Sequence, residues 1–222
     1  NASYTTRKRN NRLSENEPQW LRWARALQAI AQNGLTFTDG EFDRKRYEDI
    51  RRIAAEMTAV GSDTPVEVVQ TLFEEQTGYQ TPKVDTRGVV FRDDTLLLVR
   101  EKSDNCWTLP GGWVDPNEAP REAVEREVWE ESGYQVRADK LLAVYDRAKH
   151  PHTPPRAYSV YKLFIRCELL GGEPKDNLET EEATFFREQE IPEELSPPRV
   201  TPGQIARMFE HRLHPDWPTD LD

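Results

Sequence analysis

Apolar residues recur at three- and four-residue spacing through residues 18–33, where Leu21, Ala24, Leu27, Ile30 and Ala31 share one face. That period predicts an amphipathic helix, with Pro18 suited to its first turn and Gly34 to its stop. Asp39 and Gly40 mark a turn. A second helix is predicted over 42–60 from the stripe of Tyr47, Ile50, Ile53, Ala54 and Met57, ended by Gly61. A third opens at Ser62, Asp63, Thr64 and Pro65, carries Val66, Val69, Leu72 and Phe73 on its apolar side, and ends by Gly78. Three such helices enclose little core of their own. The pattern therefore predicts that they dock onto the rest of the chain or onto another copy.

Beyond Thr81 the pattern changes to short β-rich runs. Residues 84–91 and 95–100 flank Asp93 and Asp94 as a hairpin would. Further strands are predicted over 141–145, 157–168 and 183–187, and helices over 120–132 and 202–213. The expected division is a flexible tail over 1–17, a helical domain over 18–80 and an α/β domain over 81–222. No run approaches the roughly 18 apolar residues that span a bilayer, and a secretory leader is not expected. Two cysteines, Cys106 and Cys167, make no disulfide framework. A cytoplasmic protein with no membrane partner and two inert thiols is the expectation.

Charge sharpens this picture. The formal net charge is −10, divided as −1 over residues 1–80 and −9 over residues 81–222. An acidic surface repels nucleic acid and bare phosphate. No nucleic-acid partner is expected, and a phosphate ligand calls for a divalent cation as intermediary. The one basic patch, Arg7, Lys8, Arg9 and Arg12, lies in the tail and reads as solvated and frayed.

The chemistry concentrates in residues 112–134. Between Asp115 and Glu131 stand seven acids and only two bases. At about 100° per residue on a helix over 120–132, Glu127, Glu130 and Glu131 fall within an arc of about 100°. Ala123 sits in the middle of that arc, with Val124 and Val128 beside it. Like charges four apart cost a helix a few tenths of a kcal/mol per pair. A solvated acidic face is the plain reading of such a helix. Two features favour a site instead: the preceding loop Leu109, Pro110, Gly111 and Gly112 lets backbone approach a ligand, and Pro120 and Gly133 delimit the helix. Converging hard oxygens suit Mg²⁺ or Mn²⁺.

The spacing of Gly112, Glu118, Arg126-Glu127-Val128, Glu130-Glu131 and Gly133-Tyr134 resembles the Nudix box. Tyr134 stands where that family usually has an aliphatic residue, a departure that touches packing rather than metal binding. The phrases Gln19-Trp20-Leu21-Arg22-Trp23-Ala24, Thr77-Gly78-Tyr79-Gln80-Thr81-Pro82-Lys83-Val84-Asp85 and Ala148-Lys149-His150-Pro151-His152 extend the resemblance. They are similar to the Nudix subfamily with an N-terminal helical domain that acts on X-linked nucleoside diphosphates. That group includes CDP-choline pyrophosphatase and UDP-X diphosphatase.

The resemblance implies an α/β fold, an α/β/α sandwich around a mixed sheet, preceded by a small all-helical domain. It implies metal-dependent hydrolysis of the pyrophosphate bond in a nucleoside diphosphate linked to a moiety X, of CDP-choline, UDP-X or ADP-ribose type. The products would be a nucleoside monophosphate and phospho-X. It implies Glu127, Glu130 and Glu131 as ligands of Mg²⁺ or Mn²⁺, with Gly112 in the ligand set and Glu118 ligating through water. It also implies a homodimer formed through the helical domain. A catalytically silent Nudix-fold sensor or regulator is the alternative. The full set of ligand carboxylates weighs against that alternative.

Arg126, beside Glu130 on the helical wheel, is assigned to orienting it by an ion pair. Glu179 is the preferred loop acid for activating water, ahead of Glu182, with Glu131 as the rival base. Arg87 either holds a substrate phosphate or pairs with a surface acid. Lys149, His150 and Glu182 are placed among the substrate contacts, although His150 and His152 also read as plain loop structure and make a poor zinc site. Trp20, Trp23, Phe37 and Tyr79 either stack on a base or, as is usual at helical spacing, belong to the core.

Overall fold

The computed structural model describes residues 18–175 and 177–222. The tail over 1–17, with Arg7, Lys8, Arg9 and Arg12, lies outside the described residues. The first helices are α1 (Gln19–Phe37), α2 (Glu41–Ser62) and α3 (Val66–Glu74). Both α1 and α2 run past the glycines expected to stop them. A Cβ on Gly34 would come within 2.3 Å of the Tyr47 ring, and one on Gly61 within 2.4 Å of the Trp20 indole. These glycines mark the close approach of two helices, not their ends. The end of α2 is set by Asp63, whose φ of 51° is left-handed.

The interface of this helical unit is built from small side chains. Ala54, Ala55 and Ala59 of α2 cluster with Val69 and Phe73 of α3, and Leu27 of α1 packs against them. Trp23, Phe37 and Tyr79 are more than half exposed, so they belong to no core, and Phe37 pairs with Tyr79 at a ring separation of 6.2 Å. Polar ties fasten residues 78–80 to α1 and join α1 to the α/β unit. Gln32 Nε2 donates to the Gly78 carbonyl (2.8 Å), Gln80 N–H to Asn33 Oδ1 (2.7 Å) and Arg25 Nη2 to the Arg156 carbonyl (2.7 Å).

The second unit is a mixed sheet of β1 (Lys83–Arg92), β2 (Thr95–Glu101), β3 (Trp107–Thr108), β4 (Tyr134–Asp146), β5 (Val160–Gly172), β6 (Thr180–Arg187) and β7 (Asp220–Leu221). Its order is β3-β2-β1-β5-β4-β7, with β6 paired to β2. Helix α4 (Pro120–Ser132) and helix α5 (Pro202–Leu213) match the expected spans. Strand β4 starts well before residue 141; its first half alternates the polar Gln135, Arg137 and Asp139 with Val136 and Ala138 and so shows no apolar run. The hairpin exists but is shallow: β1 and β2 pair only at Phe91 with Leu96 and Arg92 with Thr95. The rest of β1 runs parallel to β5, from Lys83 with Val160 to Val90 with Cys167.

Alternation along the strands sends side chains to two cores. Val89, Leu96, Leu98 and Phe164 meet Ile205, Met208 and Phe209 of α5. Val90, Leu97, Ile165 and Cys167 meet Val124 and Val128 of α4. The result is an α/β/α sandwich preceded by helices, as expected. Tyr134 is buried edge-on to Phe185 at 5.3 Å, which bears out its packing role. Cys106 and Cys167 are unpaired, and burial pushes the Cys167 thiol up to about 12, which keeps it unreactive. Among the described residues no helix is long and apolar enough to cross a membrane.

His152 joins the loop after β4 to helix α5. Its Nδ1 is 3.1 Å from the Pro197 carbonyl, and its Nε2 is 3.2 Å from Gln204 Nε2. With Gln204 donating, Nε2 accepts and the ring is neutral. Burial, aided by nearby Lys162 and Arg147, pushes its pKa down to about 3. The unfolded ring protonates near 6.5. The unfolded state therefore takes up the proton first, and stability falls as pH drops through 6.5 toward 3. Urea unfolding at pH 7.5 and pH 5 should show wild type losing about 2 kcal/mol from this ring. A His152→Asn variant, less stable at pH 7.5, should lack that portion of the loss.

Candidate active site

The divergence of β1 from β2 leaves an edge of β1 open. The loop from Pro110 to Val114 fills it: Gly88 N–H donates to the Pro110 carbonyl (2.8 Å), Thr86 N–H to the Gly112 carbonyl (2.8 Å) and Val114 N–H to the Val84 carbonyl (3.1 Å). Gly111 has a φ of +142°, and a Cβ there would lie 2.1 Å from the Thr86 oxygen. Only glycine fits that position. Helix α4 packs across β1 at Gly88, where an added Cβ would meet Val128 at 2.5 Å. The loop and the acidic helix are thereby pressed onto the same strand.

This contact positions the carboxylates. Glu131 is 4% exposed, and its Oε2 accepts the Gly111 N–H at 2.9 Å. Burial pushes Glu131 up to about 8, against the pull of Arg87 and of that N–H. Glu127 lies so close to Gly112 that a Cβ on the glycine would sit 2.8 Å from its Oε1; burial raises its pKa too. Arg126 links the acids. Its Nε and Nη2 donate to the two Glu118 oxygens at 2.7 and 3.0 Å, and its Nη1 to Glu127 at 3.0 Å and Glu130 at 2.9 Å. The expected ion pair with Glu130 is present, and the same guanidinium also holds two further carboxylates.

Facing them is a buried cationic wall. Arg87 Nε and Nη2 donate to Asp85 at 3.0 and 2.7 Å, and its Nη1 to the Leu109 carbonyl at 3.2 Å. Lys162 Nζ donates to the same Asp85 at 2.7 Å. Burial alone would raise Asp85, but Arg87 and Lys162 together bring it down to about 2. Burial and the neighbouring Arg87 push Lys162 down to about 7. Arg147 donates to the Pro154 carbonyl at 2.8 Å, and burial pushes it down to about 10. Arg199 is held by Glu101 at 2.9 Å. The two walls enclose a cavity of about 400 Å³.

Of the residues singled out from the sequence, Glu127, Glu130, Glu131, Gly112, Arg126, Arg87 and Glu179 line this cavity. Glu118 stands behind Arg126. Glu182 lies in an adjoining depression with Asn177 and Thr180, which meets the cavity only at Glu131. Lys149 is exposed and outside the lining. His150 is also outside: it faces Asp222 at 3.2 Å and lies 4.4 Å from the Tyr145 ring. Arg87 pairs with an acid, but a buried one. Trp20, Trp23, Phe37 and Tyr79 are absent from the lining.

Sequence reasoning missed Asp85, Lys162, Arg147, Arg156, Arg199, Glu101 and Trp113. A signal existed for some. Asp85 and Arg87 are two apart on one strand and so share a face, and Lys162 interrupts an apolar strand. For Arg147 and Arg156 the loop suggested its histidines instead.

The donor set fits a hard divalent cation: three carboxylates and the Gly112 carbonyl, whose second lone pair the Thr86 N–H leaves free. Among the described residues no three acid, His or Cys side chains are already gathered around one point. Arg126 and the Gly111 N–H already engage these carboxylates, and a bound cation would compete with both.

Comparison with known proteins agrees with this geometry. Residues 18–73 match the family model described as a UDP-X-like, N-terminal oligomerisation domain, and residues 81–205 match the NUDIX domain. The chain belongs to the Nudix family. It is 45% identical over 206 residues, covering 93% of this chain and 98% of the relative, to a Bacillus subtilis protein with the provisional name ADP-ribose pyrophosphatase YjhB. Its structure is similar to that of an ADP-ribose pyrophosphatase from Streptococcus suis 89-1591, with 39% identity and a TM-score of 0.58 over 64% of this chain and 100% of that one. It is also similar to a UDP-X diphosphatase, with 32% identity and a TM-score of 0.59 over 91% of this chain and 98% of that one.

Replacing Gly111 by alanine tests the loop contact. Overpacking against the Thr86 carbonyl and an unfavourable φ should together cost on the order of 3 kcal/mol. Urea denaturation should report this loss.

Proposed function

We propose that this protein is a divalent-cation-dependent pyrophosphatase acting on nucleoside diphosphates linked to a second moiety X. It would release a nucleoside monophosphate and phospho-X. ADP-ribose and UDP-linked compounds are the first candidates, from the names of its relatives. The observation that carries this reading is one cavity walled by Glu127, Glu130 and Glu131 on one side and by Arg87, Lys162 and Arg147 on the other. A diphosphate needs cationic partners on both sides, and this cavity supports one set directly.

Glu127, Glu130, Glu131 and the Gly112 carbonyl would hold Mg²⁺ or Mn²⁺, with Glu118 acting through water. When bound, such a cation neutralises phosphate oxygens and lowers the pKa of water. The chain supplies the rest. Arg126 keeps Glu127 and Glu130 oriented. Arg87 and Lys162, fixed by Asp85, present positive charge to the diphosphate without reorganising. Glu179, exposed on the cavity wall, is assigned as the proton acceptor, with Glu131 as its rival. Among the described residues no Ser, Cys or His side chain lines the cavity, which supports direct attack by water rather than a covalent intermediate. Hydrolysis in ¹⁸O-labelled water should place the label on one phosphate product only. Primary release of inorganic phosphate or free X would contradict the reaction.

Glu130→Gln and Glu131→Gln should each abolish turnover. Without metal their thermal stability should stay close to wild type: burial already favours a neutral group at Glu131, and Glu130 exchanges an ion pair with Arg126 for less repulsion from Glu127. The extra stability conferred by Mg²⁺ should shrink in both. Wild-type turnover in both variants would show that the site is misassigned.

The same proposal places the protein in the cytoplasm, with residues 18–80 forming a homodimer and residues 81–222 the hydrolase. The family description of residues 18–73 as an oligomerisation domain supports the dimer. So do Trp23, Phe42 and Val60, large apolar residues left more than half exposed on α1 and α2. Sedimentation should find the full chain dimeric at micromolar concentration, and Phe42→Glu with Val60→Glu should shift it toward monomer. A wild-type monomer would rule the dimer out.

A further inference from the structure

The reaction outlined above leaves Trp113 without a task. It follows Gly112 directly, and its backbone is fixed to β1 by a bridge to Asp85. Its indole is 40% exposed and lines the cavity. Among the described residues it is the one aromatic side chain in a lining that is otherwise mostly ionic. The Arg156 guanidinium lies over the indole at 5.8 Å and over the Tyr158 ring at 5.7 Å, and it donates to the Tyr158 hydroxyl at 2.8 Å. The two rings are 6.3 Å apart. Lys83 stands 4.9 Å over Tyr158. One end of the cavity is thus lined by the indole and the guanidinium, with the Tyr158 ring behind them outside the lining.

An indole left half wet at the mouth of a charged cavity gains when a flat apolar face covers it. Of the two groups that a diphosphate joins, the base presents such a face whatever X is. Its ring edges also carry acceptors suited to a guanidinium. We infer that Trp113, backed by Arg156 and Tyr158, is the subsite that holds the nucleobase. This inference rests on the pyrophosphatase reading of the cavity and adds to it the part that recognises the nucleoside.

The test separates the two. Binding of AMP, UMP and ribose 5-phosphate is measured by calorimetry in Mg²⁺ buffer. Variants are Trp113→Ala, Trp113→Leu, which keeps bulk without a π face, and Trp113→Phe, which keeps a smaller one. Wild type should bind the nucleotides about tenfold or more tightly than ribose 5-phosphate, the size of one stacked base. The Ala and Leu variants should lose that gap by weakening only the nucleotides, and Phe should retain most of it. In parallel, KM for ADP-ribose or UDP-glucose should rise about tenfold in the Ala variant, with kcat within about twofold. No gap in wild type, or a gap that survives in the Ala and Leu variants, overturns the subsite. Turnover with a surviving gap would leave the pyrophosphatase reading intact. A gap that behaves as expected in a chain that hydrolyses neither compound would do the opposite.

Discussion

The passage of Gly111 and Gly112 along the edge of β1 is the contact on which the site depends. Strands β1 and β2 separate after two residue pairs, and the loop takes the vacated hydrogen bonds at Thr86 and Gly88. With those backbone groups satisfied, the loop lies close enough for the Gly111 N–H to reach Glu131 and for Glu127 to rest on Gly112. A side chain at either glycine would push the loop away from the strand or from the helix. The carboxylates of α4 therefore owe their positions to a backbone contact more than to one another.

That contact also brings opposite charges together. An acidic chain would not be expected to keep three cations under one cavity, yet Arg87 and Lys162 are buried there around Asp85, and Arg147 stands close by. Buried ion pairs of this kind are seldom a net gain in stability over apolar packing, because desolvation offsets the attraction. Their value lies in holding charge fixed in a place from which water is partly excluded. A diphosphate entering between this wall and the acids of α4 meets groups that need not rearrange. The surplus acidity of the chain lies elsewhere on its surface and says little about this interior.

The helical unit obeys a different constraint. Its helices approach closely at Gly34 and Gly61 and bury alanines, leaving larger residues such as Trp23, Phe42 and Val60 exposed. One tie to the α/β unit, Arg25 to the Arg156 carbonyl, reaches the loop that carries part of the cavity wall. Helical packing and cavity shape are in this way joined through that loop.

Local sequence alone determined the acidic helix from Pro120 to Ser132, its left-handed stop at Gly133, the carboxylate arc and the helix from Pro202 to Leu213. These follow from periodicity and end signals that act within a few residues. It also carried the family resemblance, because the spacing of the box survives in one dimension. What only the tertiary structure decided was which partners meet across the chain. Gly34 and Gly61 read as stops, but their neighbours are rings on another helix. His150 is expected among the substrate contacts, but it turns toward Asp222, while Arg147 and Arg156 of the same loop line the cavity. Lys162 is not singled out within its strand, and only the pairing of β5 with β1 sets it against Asp85. In each case the deciding contact joins residues distant in sequence, and nothing in the local pattern encodes the distance between them.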